Sequence, residues 1–317
     1  MQDCTLLVKR LLCTSARLYF LYGTERGQRL EERLLPRGEG AMKLGLLVPC
    51  LAALLRVASP LRICAFNIQT FGDNKVDNEA IAAVIVKILA RYDIALVQEV
   101  RDSDLSAVTT LMEQLNRASK HSYDYVISEP LGREKYKEMY LFIYRTESVS
   151  PVAEYQYPNG NGAFSRAPFI VKFSIPDSEG EPLILVPLHT PPSEAVAEID
   201  ALYDVYLQVL DKWGTDNMMF LGDFNADCSY VGKKDWASIR LRTSEVFKWL
   251  ISDSTDTTVG HSDCAYDRIV VSGSKLRKWI NPKSARVFDF QTALKLSQEE
   301  ALAVSDHFPV EVTLGSQ

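Results

Sequence analysis

The sequence predicts an α/β protein, a layered sandwich of strands and helices, on three observations. Apolar runs such as Leu61–Ile68, Leu183–Leu188 and Met218–Leu221 have the length of buried strands, and amphipathic stretches separate some of them. Elsewhere, as at Glu138–Phe173, strand-like runs follow one another without a helix, which argues against a Rossmann sheet. Polar residues recur where the apolar runs stop, and strand ends in open α/β folds are where ligands bind. There is no solenoid-period repeat, low-complexity tract or glycine-rich phosphate loop.

The chain has 317 residues, 47% hydrophobic and 24% charged, enough for one large domain or two small ones. Its net charge is −6. Residues 1–60 hold nine Lys/Arg against five Asp/Glu, so the remainder carries about −10. An acidic body lacks the broad basic face of a passive nucleic-acid binder. It suits an enzyme that meets a phosphate substrate through a bound cation.

Residues 1–41 are mixed and basic and carry no recognisable chemistry; they read as an upstream extension. From Met42, Lys43 and the apolar stretch Leu44–Leu55, followed by Val57-Ala58-Ser59, resemble a secretory signal peptide covering 42–60. The apolar run, about 12 residues, is too short to span a bilayer. Translation from Met42 gives a secreted protein with no membrane anchor; retention of 1–41 gives a cytoplasmic one. Residues 61–317 read as a single domain.

Leu61–Ile68 is a strand. Asp77–Arg91 places Ile81, Val84, Ile85, Ile88 and Leu89 at helical spacing. Ile94–Val97 is a short buried strand. Asp104–Arg117 is a second amphipathic helix, with Leu105, Val108, Leu111, Met112 and Leu115 on one face. Glu138–Tyr144, Phe169–Phe173 and Leu183–Leu188 are strands, and Pro158–Gly162 is a turn. Ser193–Trp213 is a long helix with Ser193 as N-cap. Met218–Leu221 is a buried strand, after which Gly222 allows a tight turn. Thr243–Ile251 reads as a short helix, and Arg268–Val271 and Phe308–Val312 as strands.

Asn67, Glu99, His189, Asp223, Asn225, Asp267 and His307 all stand at the ends of apolar runs. His189 and His307 suit a general acid–base pair, each oriented by a carboxylate, with Glu138 and Asp267 as candidates. His121 and His261 lie in polar segments and read as solvated. The oxygen-rich set suits magnesium or calcium, not zinc. Glu99, after Leu-Val-Gln, is the foremost metal ligand and Asp306 a second. Of six cysteines none forms a Cys-x-x-Cys pair; Cys64 reads as a buried thiol. Cys228 and Cys264 each lie beside a polar segment and can pair across a long loop.

Ala65-Phe66-Asn67-Ile68-Gln69, Leu96-Val97-Gln98-Glu99-Val100-Arg101, Pro187-Leu188-His189, Leu221-Gly222-Asp223-Phe224-Asn225 and Ser305-Asp306-His307-Phe308-Pro309 resemble the signature blocks of the endonuclease/exonuclease/phosphatase superfamily. Tyr136–Phe142, Ala197–Tyr206 and Asp263–Val270 resemble the secreted deoxyribonuclease I family. Asp211–Asp216 and Arg240–Phe247 are most similar to its deoxyribonuclease-1-like 2 branch. The resemblance covers Leu61–Leu314.

It implies a four-layer α/β/β/α sandwich of two packed mixed β-sheets. It implies a divalent-metal-dependent endonuclease that hydrolyses double-stranded DNA with little sequence specificity and leaves 5′-phosphate ends. Glu138, His189, Asp267 and His307 become catalytic, with Mg²⁺ (or Mn²⁺) at Asn67, Glu99 and Asp306. Asp223 and Asn225 bind the scissile phosphate. Arg101, Tyr136 and Arg166 contact DNA, Cys228 and Cys264 form a disulfide, and Asp256 and Thr258 hold a structural Ca²⁺. A second family calcium site is not carried over: Tyr155–Phe164 has no cysteine, and Ala167 replaces a glutamate. Tyr125, Ile127 and Phe169 match actin-contacting positions, and the bulk of Phe169 leaves only weak actin binding expected. A monomer is expected, without N-glycosylation, since no Asn-x-Ser/Thr occurs. The competing readings are a phosphoesterase of the same fold acting on a lipid or inositol phosphate, and a catalytically silent relative that binds actin or DNA.

Overall fold

The computed structural model describes residues 60–133, 135–176, 181–281 and 283–315. The expected extension, and the expected signal peptide apart from Pro60, lie outside them. Ala58–Gln317 form one compact unit.

The strands are β1 (Leu61–Phe71), β2 (Ile94–Val100), β3 (Tyr123–Ile127), β4 (Met139–Arg145), β5 (Ser150–Gln156) and β6 (Phe169–Ser174). They continue with β7 (Leu183–Pro187), β8 (Met218–Asp223), β9 (Lys248–Trp249), β10 (Asp267–Val271), β11 (Arg286–Val287) and β12 (Val310–Leu314). The principal helices are α1 (Asp73–Val76), α2 (Glu79–Leu89), α3 (Ser106–Ala118) and α4 (Ala195–Trp213). Shorter ones follow: α5 (Arg240–Thr243), α6 (Ser274–Trp279), α7 (Phe290–Leu294) and α8 (Gln298–Val304).

Among the described residues the strands form two six-stranded sheets, ordered β11-β12-β1-β2-β4-β3 and β5-β6-β7-β8-β10-β9. Each is antiparallel except for one central parallel pair, β1–β2 and β7–β8. The alternation of side chains along a strand makes each sheet two-faced. On β1, Ile63 and Ala65 join Leu96, Phe142, Phe173, Leu185, Leu221 and Val312 between the sheets. The intervening Cys64, Phe66 and Ile68 face outward and pack with Ile85 and Ile88 of α2 and Leu111 and Leu115 of α3. On the opposite side Ile199, Leu202 and Val205 of α4 pack with Val186, Phe220 and Val270. The result is the four-layer α/β/β/α sandwich. Parallel pairing in each sheet brings the C-terminal ends of β1, β2, β7 and β8 to one rim.

Three local expectations are corrected. The helix does not start from a Ser193 cap: Pro192–Glu194 form a 3₁₀ turn, and α4 begins at Ala195 with no side-chain cap. Pro191 and Pro192 restrict the entry to that tighter turn. Thr243–Ile251 is not a helix, because α5 ends at Thr243 and Lys248–Trp249 pair with β10. Burial of Phe247 and Trp249 against Tyr206, Phe220 and Phe224 decides that segment. Finally, β1 runs on to Phe71, past an irregularity after Asn67.

Candidate active site

The rim gathers side chains from both sheets. Between Val97↔Leu141 and Val100↔Met139, β2 carries one residue more than β4, so the strand bulges at Gln98-Glu99. Glu99 sits there at φ 59°, a left-handed conformation that costs a non-glycine residue about 1–3 kcal/mol. The bulge sends Gln98 between the sheets. Its Nε2 donates to Leu188 O at 2.7 Å, and its Oε1 accepts from Asp223 N at 2.9 Å. Gly222 makes this approach feasible: at φ 130°, a Cβ there would lie 2.4 Å from Leu188 O and 2.6 Å from Gln98 Nε2.

Two histidine–carboxylate dyads stand at the centre. His189 Nδ1 is 2.8 Å from Glu138 Oε2, and His307 Nδ1 is 2.7 Å from Asp267 Oδ2. Each imidazole turns its Nε2 to the same atom, Asp223 Oδ2, at 3.6 Å in both cases. Asn225 N donates to Asp223 Oδ1 (2.9 Å), and its Nδ2 donates to Thr190 O (2.9 Å). Ser305 Oγ ties the dyads to the first sheet, donating to Asn67 O at 2.7 Å and accepting from His307 N at 3.1 Å.

The electrostatics of the dyads differ. Burial works to raise the Glu138 carboxyl, but its hydrogen bond with His189 and the charges of His189 and Arg166 hold it below the usual range. Asp267 is fully buried and is pushed up. Burial disfavours the His307 imidazolium, yet Asp267 and Asp223 hold its pKa well above the ordinary value.

Beside the dyads lies a set of hard oxygen donors. Asn67 Nδ2 donates to Glu99 Oε1 (3.1 Å) and Asp223 Oδ2 (3.2 Å), while Thr70 N donates to Glu99 Oε2 (2.8 Å). Asn67 Oδ1 and Asp306 Oδ1 are buried without a hydrogen-bond partner. Such orphaned acceptors are costly, and a hard cation would satisfy them. Asp223, Asp267 and His307 also bring potential ligand atoms within 4.8 Å of one another. Asp267 Oδ2 is taken by His307 Nδ1, although Asp267 Oδ1 is also without a partner; the Glu99 side offers two such oxygens, on Asn67 and Asp306, beside a further carboxylate.

The remaining predicted residues are placed as follows. Tyr136 is 45% exposed beside Glu138, and the Arg101 guanidinium lies 4.3 Å from its ring centroid. Burial and the nearby Glu138 push the Tyr136 phenol up to about 12. Arg166 is only 7% exposed; its Nε donates to His189 O at 3.0 Å and lies 3.4 Å from Glu138 Oε2. It therefore lines the wall beside the His189–Glu138 dyad. Asp256 Oδ1 accepts from Thr258 N (2.9 Å) and Oγ1 (2.7 Å). Both lie in the segment closed by the Cys228–Cys264 disulfide, whose Cα atoms are 5.9 Å apart. Tyr125 and Ile127 are half-buried on β3, and Phe169 is buried between the sheets. His121 is paired with Glu147, and His261 is exposed.

Sequence reasoning missed Gln98, Ser305 and Glu198. The signal was present: a polar residue within the buried run of β2, one just before Asp306-His307, and a glutamate on the apolar stripe of α4.

The chain matches the Endonuclease/Exonuclease/phosphatase family over residues 64–307. It is 66% identical over 256 residues to mouse deoxyribonuclease-1-like 2, covering 81% of this chain and 92% of that one. It is 57% identical over 269 residues to mouse deoxyribonuclease-1, covering 83% and 95%. Among solved structures, humanized D. rerio TDP2 superposes with a TM-score of 0.56 at 15% identity, covering 81% of this chain and 99% of that one. That likeness concerns the fold alone.

Proposed function

Because the chain belongs to the endonuclease/exonuclease/phosphatase family, within its deoxyribonuclease I group and the deoxyribonuclease-1-like 2 branch, we propose that it is a DNA endonuclease that needs a divalent metal. The carrying observation is the convergence of two histidine–carboxylate dyads on Asp223 Oδ2. Two imidazoles that both face one oxygen can serve the two ends of one phosphodiester. One, oriented by its carboxylate, takes a proton from water as the water attacks phosphorus. The other gives a proton to the leaving 3′ oxygen, so the product carries a 5′-phosphate. Asp223 and Asn225 position the phosphate, and Gln98 fixes Asp223 relative to Glu99. Glu99, Asn67 and Asp306 would hold Mg²⁺ or Mn²⁺, which supplies positive charge against the phosphoryl oxygens when bound.

Arg101 and Tyr136 form the exposed contact for the duplex. Phosphate and groove contacts of this kind carry little sequence information, so cleavage is nearly indifferent to sequence. Asp256 and Thr258 are the candidate structural Ca²⁺ position. Secretion through the 42–60 segment and a monomeric enzyme complete the proposal. Among the described residues no helix is long and apolar enough to cross a membrane.

Nicking of supercoiled plasmid tests the reading. With Mg²⁺ and Ca²⁺ the plasmid should be nicked and then linearised without preferred sites, and EDTA should abolish the reaction. Cleavage undiminished in EDTA refutes the metal requirement. Hydrolysis of a lipid or inositol phosphate with DNA left intact refutes the substrate.

A further inference from the structure

Helix α4 buries Ile199, Leu202 and Val205 on the second sheet, and Glu198 occupies the same stripe. It is wholly inaccessible, at 0% exposure. For packing alone a carboxylate is a poor choice there, because burying its charge costs several kcal/mol unless partners compensate. Its partners are few. Oε1 accepts from Ser165 N at 2.6 Å, and Oε2 has no hydrogen-bond partner. The charged groups facing it are Arg166 and Glu194, the second of which pairs with Arg133 at 2.5 Å. The Tyr140 phenol also lies within its field.

Arg166 connects this carboxylate to the site. Its Nε donates to His189 O (3.0 Å) and lies 3.4 Å from Glu138 Oε2. Its own carbonyl accepts from Tyr140 Oη (3.2 Å), which in turn accepts from His189 N (2.9 Å). Both backbone polar atoms of His189 are therefore held by Tyr140 and Arg166. A row of charges runs from exposed Arg133 through Glu194, Glu198 and Arg166 to the Glu138–His189 dyad.

We propose that Glu198 is a positioning residue for the His189–Glu138 dyad, acting through Arg166: its ionised carboxylate holds the Ser165–Arg166 turn and its guanidinium against His189, and protonation slackens that brace. The inference rests on the DNA-hydrolysing reading given above. Burial pushes the Glu198 carboxyl up to about 7, against the Ser165 N–H and Arg166 and with Glu194 adding to the rise. The brace therefore changes state in the neutral range.

Glu198→Gln keeps the shape, and an acceptor for Ser165 N, while fixing the uncharged state. In the full chain with Mg²⁺ and Ca²⁺, kcat for plasmid cleavage should fall about tenfold at pH ~8 and match wild type at pH ~5.5, with KM unchanged. Tm at pH ~8 should equal or exceed wild type: a carboxyl pKa raised on folding removes stability as pH rises through it, and glutamine escapes that loss. An equal factor at every pH accompanied by a lower Tm, or no change in kcat at all, overturns the proposal. A second measurement needs no variant. In metal-free wild type, the Ser165 amide, which donates to Glu198, and the Arg166 Nε–H, which donates to His189 O, should shift together with an inflection near pH ~7. An Arg166 Nε–H resonance that does not follow the Ser165 inflection overturns the proposal. Failure of wild type to cleave DNA at any pH refutes the functional reading instead, and these N–H titrations still judge the role of Glu198.

Discussion

The two dyads have the same geometry and different surroundings. Glu138 has the Arg166 guanidinium 3.4 Å away, so its negative charge is shared between a histidine and an arginine. Asp267 is fully buried, and its other facing charge is Asp223, which repels it. Its compensation comes from His307, whose Nδ1 lies 2.7 Å from Asp267 Oδ2. The lesson is that a histidine–carboxylate pair can be stabilised from behind the carboxylate or through the histidine alone. The second arrangement commits the histidine to its proton.

The largest effect tests whether the dyads act as a unit. His189→Ala and His307→Ala should each lower kcat on DNA by about 10³-fold or more, and the double variant should be little worse than either. Multiplicative losses in the double variant would show that the dyads work independently. Reduction of Cys228–Cys264 should come next, because Cys264 lies three residues before Asp267 and, among the described residues, no disulfide lies near Glu138 in the sequence. A loop closed over a separation of 36 residues should contribute about 4 kcal/mol on the chain-entropy model. Chemical denaturation with and without reductant measures it. An unchanged midpoint would show that the fold alone secures the His307 dyad.

Smaller in magnitude is a pH effect that separates the dyads. The folded pKa of His307 lies well above its usual value, so its stabilising contribution is complete below the unfolded value of about 6.5 and is lost as pH rises through the folded one. In metal-free protein, the Tm gap between wild type and His307→Asn should therefore narrow from neutral to alkaline pH. A gap constant across that range would mean that His307 stabilises the fold by packing.

The sequence made the site legible wherever a polar side chain ended an apolar run. Asn67, Glu99, His189, Asp223 and His307 are all of this kind, and the runs beside them are strongly apolar. Less legible were elements whose stability comes from a partner. β5 alternates exposed and half-buried residues and includes Pro151, so only its pairing with β6 defines it. Lys248–Trp249 became a strand because β10 and the aromatic cluster outweighed local helical spacing. The braces were hidden for a different reason. Gln98 reaches Leu188 and Asp223 across 90 and 125 residues, and no periodicity reports such a contact. The left-handed backbones of Glu99 and Asn225, at φ 59° and 47°, are likewise imposed by the surrounding rim.

The smallest predicted effect belongs to the Glu138 side alone. Arg101 and Tyr136 are exposed and lie together next to Glu138, whereas Tyr266, beside His307, stacks on Tyr230. Arg101→Ala should raise KM for DNA with kcat nearly unchanged, a loss of about 1 kcal/mol. The salt dependence of log(kcat/KM) should become shallower by about one unit, as expected for one phosphate contact. Tyr136→Phe removes a phenol whose pKa burial and Glu138 raise, and should instead act weakly on kcat. If Arg101→Ala lowered kcat and left the salt slope intact, this arginine would serve the dyad from outside as Arg166 does from within, and the duplex would have to be engaged from the His307 side.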